Sequence, residues 1–394
     1  MTSSSATAAS EKAEPLPVII VGAGPCGLVV AATLRRYGIP FVIIERAARH
    51  KICSNAGSGF EFAPTSIEIL KNRLGIDISK ILSAYNGMTI LTVEGRKVRH
   101  SRLPADYAGG SVNRAELQKH LLGVVFPSAE EEEGVLFCGS GIESYREEEE
   151  QGRVVATLVP GDDGGPEKTI AGCVLLACDG IHSRCRAVMH GGYESSKGGI
   201  RGKNSTRDPL HFCNTMAYWG KVAAPEGSDL QKEWAKTQRT SEKDGAAHCT
   251  SFVFGLATSR APAGFFIVPS HNGTMLNWAV TIYSKAPQVS GGNDGSDLTR
   301  RGGGVLTEQD KERLFAFGSH GSDSESVVRG VKKFPLLEQL IESTPAQDIT
   351  EAGLYDRENL DLPYSSEKKL VALLGGKLAE RMKAAVSSLP LVFP

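Results

Sequence analysis

The stretch from Pro17 to Arg46, PVIIVGAGPCGLVVAATLRRYGIPFVIIER, constrains this chain more than any other. Val18 to Val21 is a continuous apolar, β-branched run, the pattern of a strand buried on both faces. Gly22-Ala23-Gly24-Pro25-Cys26-Gly27 follows at once. Leu28 to Tyr37 then carries helical apolar spacing, and Gly38 ends it. Phe41 to Ile44 reads as a second buried strand, closed by Glu45. The run from Leu16 to Leu34 holds nineteen residues without a charge, long enough to raise a membrane span. Pro17, Gly22, Gly24, Pro25 and Gly27 interrupt it, so the reading is a buried strand, turn and helix.

Each part of this pattern has a chemical use. Gly22 permits the tight turn, Gly24 lets the backbone approach a pyrophosphate, and Gly27 lets helix and strand pack closely. The helix N-terminus points amide donors and a partial positive charge at phosphates. Glu45 ends the second strand eighteen residues after Gly27. A carboxylate there accepts both hydroxyls of an adenosine ribose and repels a 2′-phosphate, so FAD or NAD is favoured over NADP. The fingerprint alone does not decide between those two. Arg46 is placed to reach the same nucleotide, with a plain surface arginine as the alternative. Cys26 sits on the first helical turn, where a thiol pKa falls; small size is the simpler reason for it.

Other classes lack support. The formal net charge is −1, so no polybasic surface argues for nucleic acid or anionic lipid. Eight cysteines are scattered and none forms CxxC; a reduced chain in the cytoplasm is the default reading. Residues 1–16 read as a disordered tail without a targeting signal, and no transmembrane segment is expected. No HExxH is present and the nine histidines show no metal-ligand pairing, so no metal site is expected. GxSxG and the Walker A pattern are absent. The acidic runs at 130–133 and 147–150 read as solvated loops or turns, with an interaction patch as the alternative.

Five further segments carry a resemblance. GSGFEFAP followed by TSIEILKNRLGI, VNRAELQKHLL, LLACDGIHSRCR, HFCNTMAYWGKV and AGLYDRENLDLPY occur in that order. Read physically, Cys173 to Ala177 is another buried strand ended by Asp179-Gly180, with Ser183 and Arg186 on the next helical turn; a plain capped helix is the alternative. In motif and order the segments resemble the FAD-dependent aromatic-ring hydroxylases, the para-hydroxybenzoate hydroxylase-like group A flavoprotein monooxygenases. Cys178 stands where Ala or Gly is more usual. The resemblance places Arg114 on an FAD-contacting arginine and Asp179 on a motif that borders FAD and helps engage NADPH. The cofactor-binding residues it implies, with those of the first motif, are Gly22, Gly24, Gly27, Glu45, Arg46, Gly59, Arg114, Asp179 and Gly180.

The resemblance implies an α/β fold: a doubly wound, Rossmann-like FAD-binding domain interleaved with an antiparallel-sheet substrate domain. The expected division is a tail at 1–16, an FAD-binding domain at 17–194 with an excursion near 86–107, a substrate domain at 195–349, and a return to the FAD domain at 350–394. Strands are expected at Gly264 to Val268 and Met275 to Tyr283, helices at Lys311 to Gly318 and Val327 to Ile341, and a loop at Asn293 to Gly304. The implied reaction uses bound FAD, NADPH or NADH, and O2. A flavin hydroperoxide then hydroxylates or epoxidises a small aromatic or hydrophobic substrate. Catalytic side chains and oligomeric state stay unassigned; Tyr218 and Trp219 are read as core in preference to pocket lining.

The ending departs from the family pattern. Leu370 to Leu374 reads as a strand, but Gly376 stands where the family has Asp, and the proline-glycine loop is missing. This reads as a truncated C-terminal FAD motif, with helical apolar spacing over Lys377 to Ser388. Two other functions stay open: a non-catalytic FAD- or dinucleotide-binding homologue, and an NAD-dependent dehydrogenase or flavin reductase.

Overall fold

The computed structural model describes residues 15–53, 59–85, 87–92, 96–159, 168–191, 211–238, 251–256, 264–283, 304–306, 308–309, 311, 335–356 and 363–374. They group into two compact units, one from 1–47, 130–188 and 363–394, the other from 48–129 and 189–362. The expected tail lies almost wholly outside the described residues, as do the departures from Gly375 onward, most of the Lys311 to Gly318 helix and the loop at 293–303.

In the first unit, strand β1 (Val18–Val21) feeds helix α1 (Pro25–Arg36) and strand β2 (Phe41–Glu45). Pro25 opens the helix, where a missing N–H costs nothing. Leu28, Ala31 and Ala32 form its buried stripe, Arg35 and Arg36 meet the negative end of its dipole, and Gly38 exits at φ +66°. The sheet has five strands in the order Val371–Leu373, Val174–Ala177, β1, β2, Leu136–Cys138. Every neighbouring pair is parallel. Ile19, Ile20, Ile43, Ile44 and Leu175 are buried to 1% exposure or less. Each contributes roughly 1.5–3 kcal/mol by leaving water. Because all strands run one way, Val21, Glu45, Ala177 and Leu373 end at the same edge.

A three-stranded antiparallel sheet, Ile142–Glu148, Arg153–Leu158 and Thr169–Gly172, completes the unit. Here the acidic run differs from expectation. Glu147 and Glu148 are strand residues, and only Glu149–Gln151 turn, with Gly152 left-handed at φ 57°. The run persists in the strand because it has partners. Arg146 and Arg153 donate to Glu148 at 2.9 and 2.5 Å, Ser366 Oγ donates to Glu147 at 2.7 Å, and Lys368 lies 3.1 Å from Glu149. The hairpin thereby clasps the segment leading into the last strand.

The second unit is built on an eight-stranded sheet. Thr350–Asp356, His211–Ala223, Met275–Tyr283 and Gly264–Ser270 are successive antiparallel neighbours in it. Ser251–Leu256 continues antiparallel from Gly264–Ser270, then pairs parallel with Gly87–Thr92, whose other neighbour is Lys97–Arg102. Trp278, Leu276, Ile267, Leu336, Leu340 and Ile341 sit in its core, with helix Pro335–Ser343 supplying the last three. Trp278 Nε1 donates to Thr344 Oγ1 at 2.9 Å, so the one polar atom of the largest core residue is satisfied. A smaller sheet pairs Gly110–Asn113 with Gly59–Phe62 and with Ser83–Ala84.

Two segments group differently from the expected division, for reasons of strand pairing. Thr350–Asp356 pairs with Met216–Trp219, so the return to the first unit begins near Pro363. Residues 48–129 group with the second unit, where Ser111 Oγ donates to the Pro269 carbonyl at 2.6 Å. Gly304 opens a short strand against Glu351. Tyr218 is a core residue, 4% exposed, and Trp219 is half-buried on the next position of the strand. Among the described residues no helix is long and apolar enough to cross a membrane.

Candidate functional site

The three fingerprint glycines have three different reasons to be glycine. Gly22 lies at φ +103°, and a Cβ there would come within 2.6 Å of the Cys178 carbonyl oxygen. A Cβ on Gly27 would stand 1.9 Å from the Gly22 oxygen. Both are demanded by the fold itself. Gly24 is not: it has φ −69° and ψ 174°, open to any residue, and a Cβ would meet nothing within 4 Å. The space beside Gly24 is open among the described residues.

That space adjoins the start of α1. Gly24 is the N-cap and offers no side chain to the helix amides. Leu28 N–H bonds back to the Gly24 carbonyl at 3.0 Å, so the Cys26 and Gly27 amides precede the first helical hydrogen bond. Two donors and the positive end of a twelve-residue helix therefore face an open approach.

Glu45 is fixed toward the same turn. Ala23 N–H donates to its Oε2 and Ala47 N–H to its Oε1, both at 2.7 Å. Gly22 N–H bonds to the Ile44 carbonyl at 2.8 Å, which holds the turn against the end of β2. The carboxylate is oriented before any ligand arrives and keeps lone pairs for hydroxyl donors. Arg46, next in sequence, is exposed, with its Cβ about an atomic contact from Gly141 (3.4 Å to an added Cβ).

Asp179 and Gly180 follow the neighbouring strand. Cys178 N–H bonds to the Val21 carbonyl at 2.7 Å, so the two strand ends are joined. Asp179 Oδ2 accepts the Arg184 and Cys185 amides at 2.7 and 3.1 Å, and Ser183 Oγ accepts the Arg186 amide at 2.9 Å. These are capping bonds of the helix Arg184–Met189. Capping occupies only half of the carboxylate. Among the described residues, Asp179 Oδ1 is buried and has no hydrogen-bond partner, so it could accept a bond from a ligand hydroxyl or water. Gly180 is exposed at φ +79°. Arg186 stacks over the Tyr364 ring at 5.3 Å.

Gly22, Gly24, Gly27, Glu45, Asp179 and Gly180 thus converge on one sheet edge of the first unit. Gly59 and Arg114 belong to the second unit, where they are near each other. Gly59 pairs with Asn113, and Asn113 Oδ1 caps the helix that begins at Arg114, accepting the Ala115 amide at 3.0 Å. Sequence reasoning missed the Ala23 and Ala47 amides, which have no side-chain signature. It also missed the meeting of Cys26 and Cys178, whose sulfurs lie 3.8 Å apart across 152 residues of chain.

The open approach at Gly24, the Cys26 and Gly27 amides ahead of the first helical hydrogen bond, the oriented Glu45 and the buried Asp179 Oδ1 are chemically compatible with the adenosine diphosphate end of FAD. Residues 15–205 match the family model of the FAD binding domain. That stretch is similar to FAD-binding domains. The chain is 27% identical over 187 residues to the FAD-dependent monooxygenase anuJ of Penicillium roqueforti (strain FM164), a match covering 44% of this chain and 21% of that protein. It is 30% identical over 183 residues to 3-amino-4-hydroxybenzoate 2-monooxygenase PtnB3 of Streptomyces platensis, covering 44% of this chain and 42% of that protein. The chain therefore spans less than half the length of these relatives. A variant of Klebsiella pneumoniae HpxO complexed with FAD is similar in fold, with TM-score 0.61, 16% identity, and coverage of 92% of this chain and 74% of that one.

Proposed function

We propose that this chain is an FAD-dependent monooxygenase that draws electrons from NADPH or NADH and hydroxylates or epoxidises a small aromatic or hydrophobic compound. The observation that carries the cofactor half is Glu45, locked by two main-chain amides beside a glycine whose Cβ space is open. In this reading Gly24 and the Cys26 and Gly27 amides take the pyrophosphate, Glu45 takes the ribose hydroxyls, and Asp179 Oδ1 accepts a further hydroxyl donor. Arg46, Gly59, Arg114 and Gly180 stay in the cofactor-binding set on the motif resemblance. The oxidoreductase half is supported by the relatives, one named an FAD-dependent monooxygenase and the other a 3-amino-4-hydroxybenzoate 2-monooxygenase. Bound FAD would pass two electrons to O2, leaving one oxygen atom on the substrate and the other in water. The eight-stranded sheet of the second unit is the proposed substrate platform.

The test has two stages. Purified chain is incubated with FAD and desalted, and its visible spectrum is recorded. A retained flavin band supports the cofactor reading, and a colourless protein overturns it. NADPH-dependent oxygen consumption is then measured with phenolic and other hydrophobic compounds. Substrate-stimulated consumption with an oxygenated product supports the monooxygenase. FAD retention without turnover would favour the non-catalytic reading, which Gly376 in place of the family's Asp supports.

A further inference from the structure

We propose that Cys26 and Cys178 are a peroxide-responsive thiol pair, converted to a disulfide by a hydroperoxide unless a dinucleotide covers the start of α1. The oxidation half stands on the thiols alone; the shielding half rests on the FAD reading above.

The two sulfurs come from opposite ends of one junction. Cys26 is the second residue of α1 and exposed, while Cys178 is buried at the end of the adjacent strand. Their sulfurs are 3.8 Å apart, van der Waals contact, and a disulfide of about 2.05 Å needs only a small further approach. The junction is otherwise rigid. Cys178 N–H is bonded to Val21, and Gly27 packs against Gly22, so the main chain holds the two cysteines side by side.

Environment divides the labour between the two. The Cys178 S–H donates to an ionised Cys26, which outweighs burial and lowers the Cys26 thiol to about 7. The same hydrogen bond, then burial and the nearby negative charge of Cys26 and Asp179, push the Cys178 thiol far up. Cys26 at the positive end of a helix is therefore the nucleophile. Its thiolate attacks one peroxide oxygen, the O–O bond breaks, and hydroxide leaves, giving a sulfenic acid on Cys26. The Cys178 thiol then attacks that sulfur, the S–O bond breaks, and its proton leaves with the hydroxyl as water. Two thiols lose two electrons and two protons, and one hydrogen peroxide becomes two waters. A pyrophosphate on the Cys26 and Gly27 amides would cover the attacking sulfur.

The experiment uses the full chain carrying Cys173→Ser, with one equivalent of hydrogen peroxide, with and without FAD. Tryptic mapping without reductant should show peptide Ala13–Arg35 joined to Thr169–Arg184, lighter by two hydrogens and separated by dithiothreitol. With FAD at ten times its Kd, formation should slow about tenfold. In Cys178→Ser, dimedone should label Cys26. Peroxide that oxidises Cys26 to the sulfinic acid with no joined peptide in the Cys178-containing chain overturns the pair. A joined peptide formed equally fast with and without FAD keeps the pair and overturns the shielding, together with the placement of FAD at this turn.

Discussion

Replacing Gly24 by Ala separates a ligand-imposed glycine from a fold-imposed one. The backbone at Gly24 suits any residue, and the added Cβ meets no described atom within 4 Å. Two small effects then oppose each other. Reduced freedom of the unfolded chain stabilises by about 0.4–1 kcal/mol. A poorer N-cap costs a similar amount, up to about 1 kcal/mol. The net change in stability should lie near zero, a melting shift within about 2–4 °C. FAD affinity should fall much further. A methyl in the pyrophosphate space would break contact with two amide donors, each hydrogen bond to a charged group being worth about 1.5–3 kcal/mol. Losing even most of one such bond, about 2 kcal/mol, raises Kd roughly thirtyfold. Gly27→Ala is the contrast. Its Cβ would sit 1.9 Å from the Gly22 oxygen, and overpacking against backbone costs about 3 kcal/mol or more. The assay is a melt of each apo variant followed by an FAD titration read by flavin fluorescence. A Gly24→Ala chain that melts normally and binds FAD as tightly as the parent refutes the assignment of that space to the pyrophosphate.

Three further outcomes are expected. Glu45→Ala removes the ribose acceptor and strands the Ala23 and Ala47 amides, so FAD Kd should rise at least about tenfold and the apo melt should fall with a loss of about 1–3 kcal/mol; calorimetric titration and thermal unfolding check both. Thr344→Val leaves the buried Trp278 indole N–H without its acceptor and should cost about 1–3 kcal/mol in urea unfolding, with FAD affinity unchanged. Alkylation of Cys26 by iodoacetamide, followed by peptide mass, should rise with pH to a midpoint of about 7 and fall as pH drops below it, because the thiolate is the nucleophile and the hydrogen bond from Cys178 lowers its pKa. A midpoint at the ordinary thiol value of 9.0 would remove Cys178 as the cause.

The glycine-turn edge of the parallel sheet was legible because its requirements are local. β-Branched runs of four or five residues, glycines at turn positions and an acid at a strand end each state their reason within a few bonds. The strands at Val18–Val21, Phe41–Glu45, Gly264–Ser270 and Met275–Tyr283 follow the expected pattern closely. The acidic run at 147–150 was misjudged for the opposite reason. Its charges look solvent-bound in sequence, but their partners, Arg153, Ser366 and Lys368, arrive from a neighbouring strand and from a segment more than two hundred residues away. The unequal use of the two Asp179 carboxylate oxygens was equally hidden. A capped helix and a ligand acceptor look alike in sequence, and only atomic positions show one carboxylate oxygen capping while the other lacks a partner.

By itself, then, the sequence determined that residues 18–45 form a parallel βαβ unit, that a glycine turn joins its first strand to its helix, and that Glu45 closes its second strand. Backbone conformation and period are properties of adjacent residues, so no distant contact is needed to infer them. Tertiary structure decided which strand lies beside β1. That choice sets Cys178 against Cys26 and gives the Gly22 turn its second wall. It also decided that Thr350–Asp356 pairs with Met216–Trp219, which puts that strand in the second unit. Strand order and thiol proximity are settled by burial of apolar faces summed over the whole fold, a quantity that no short window of residues contains.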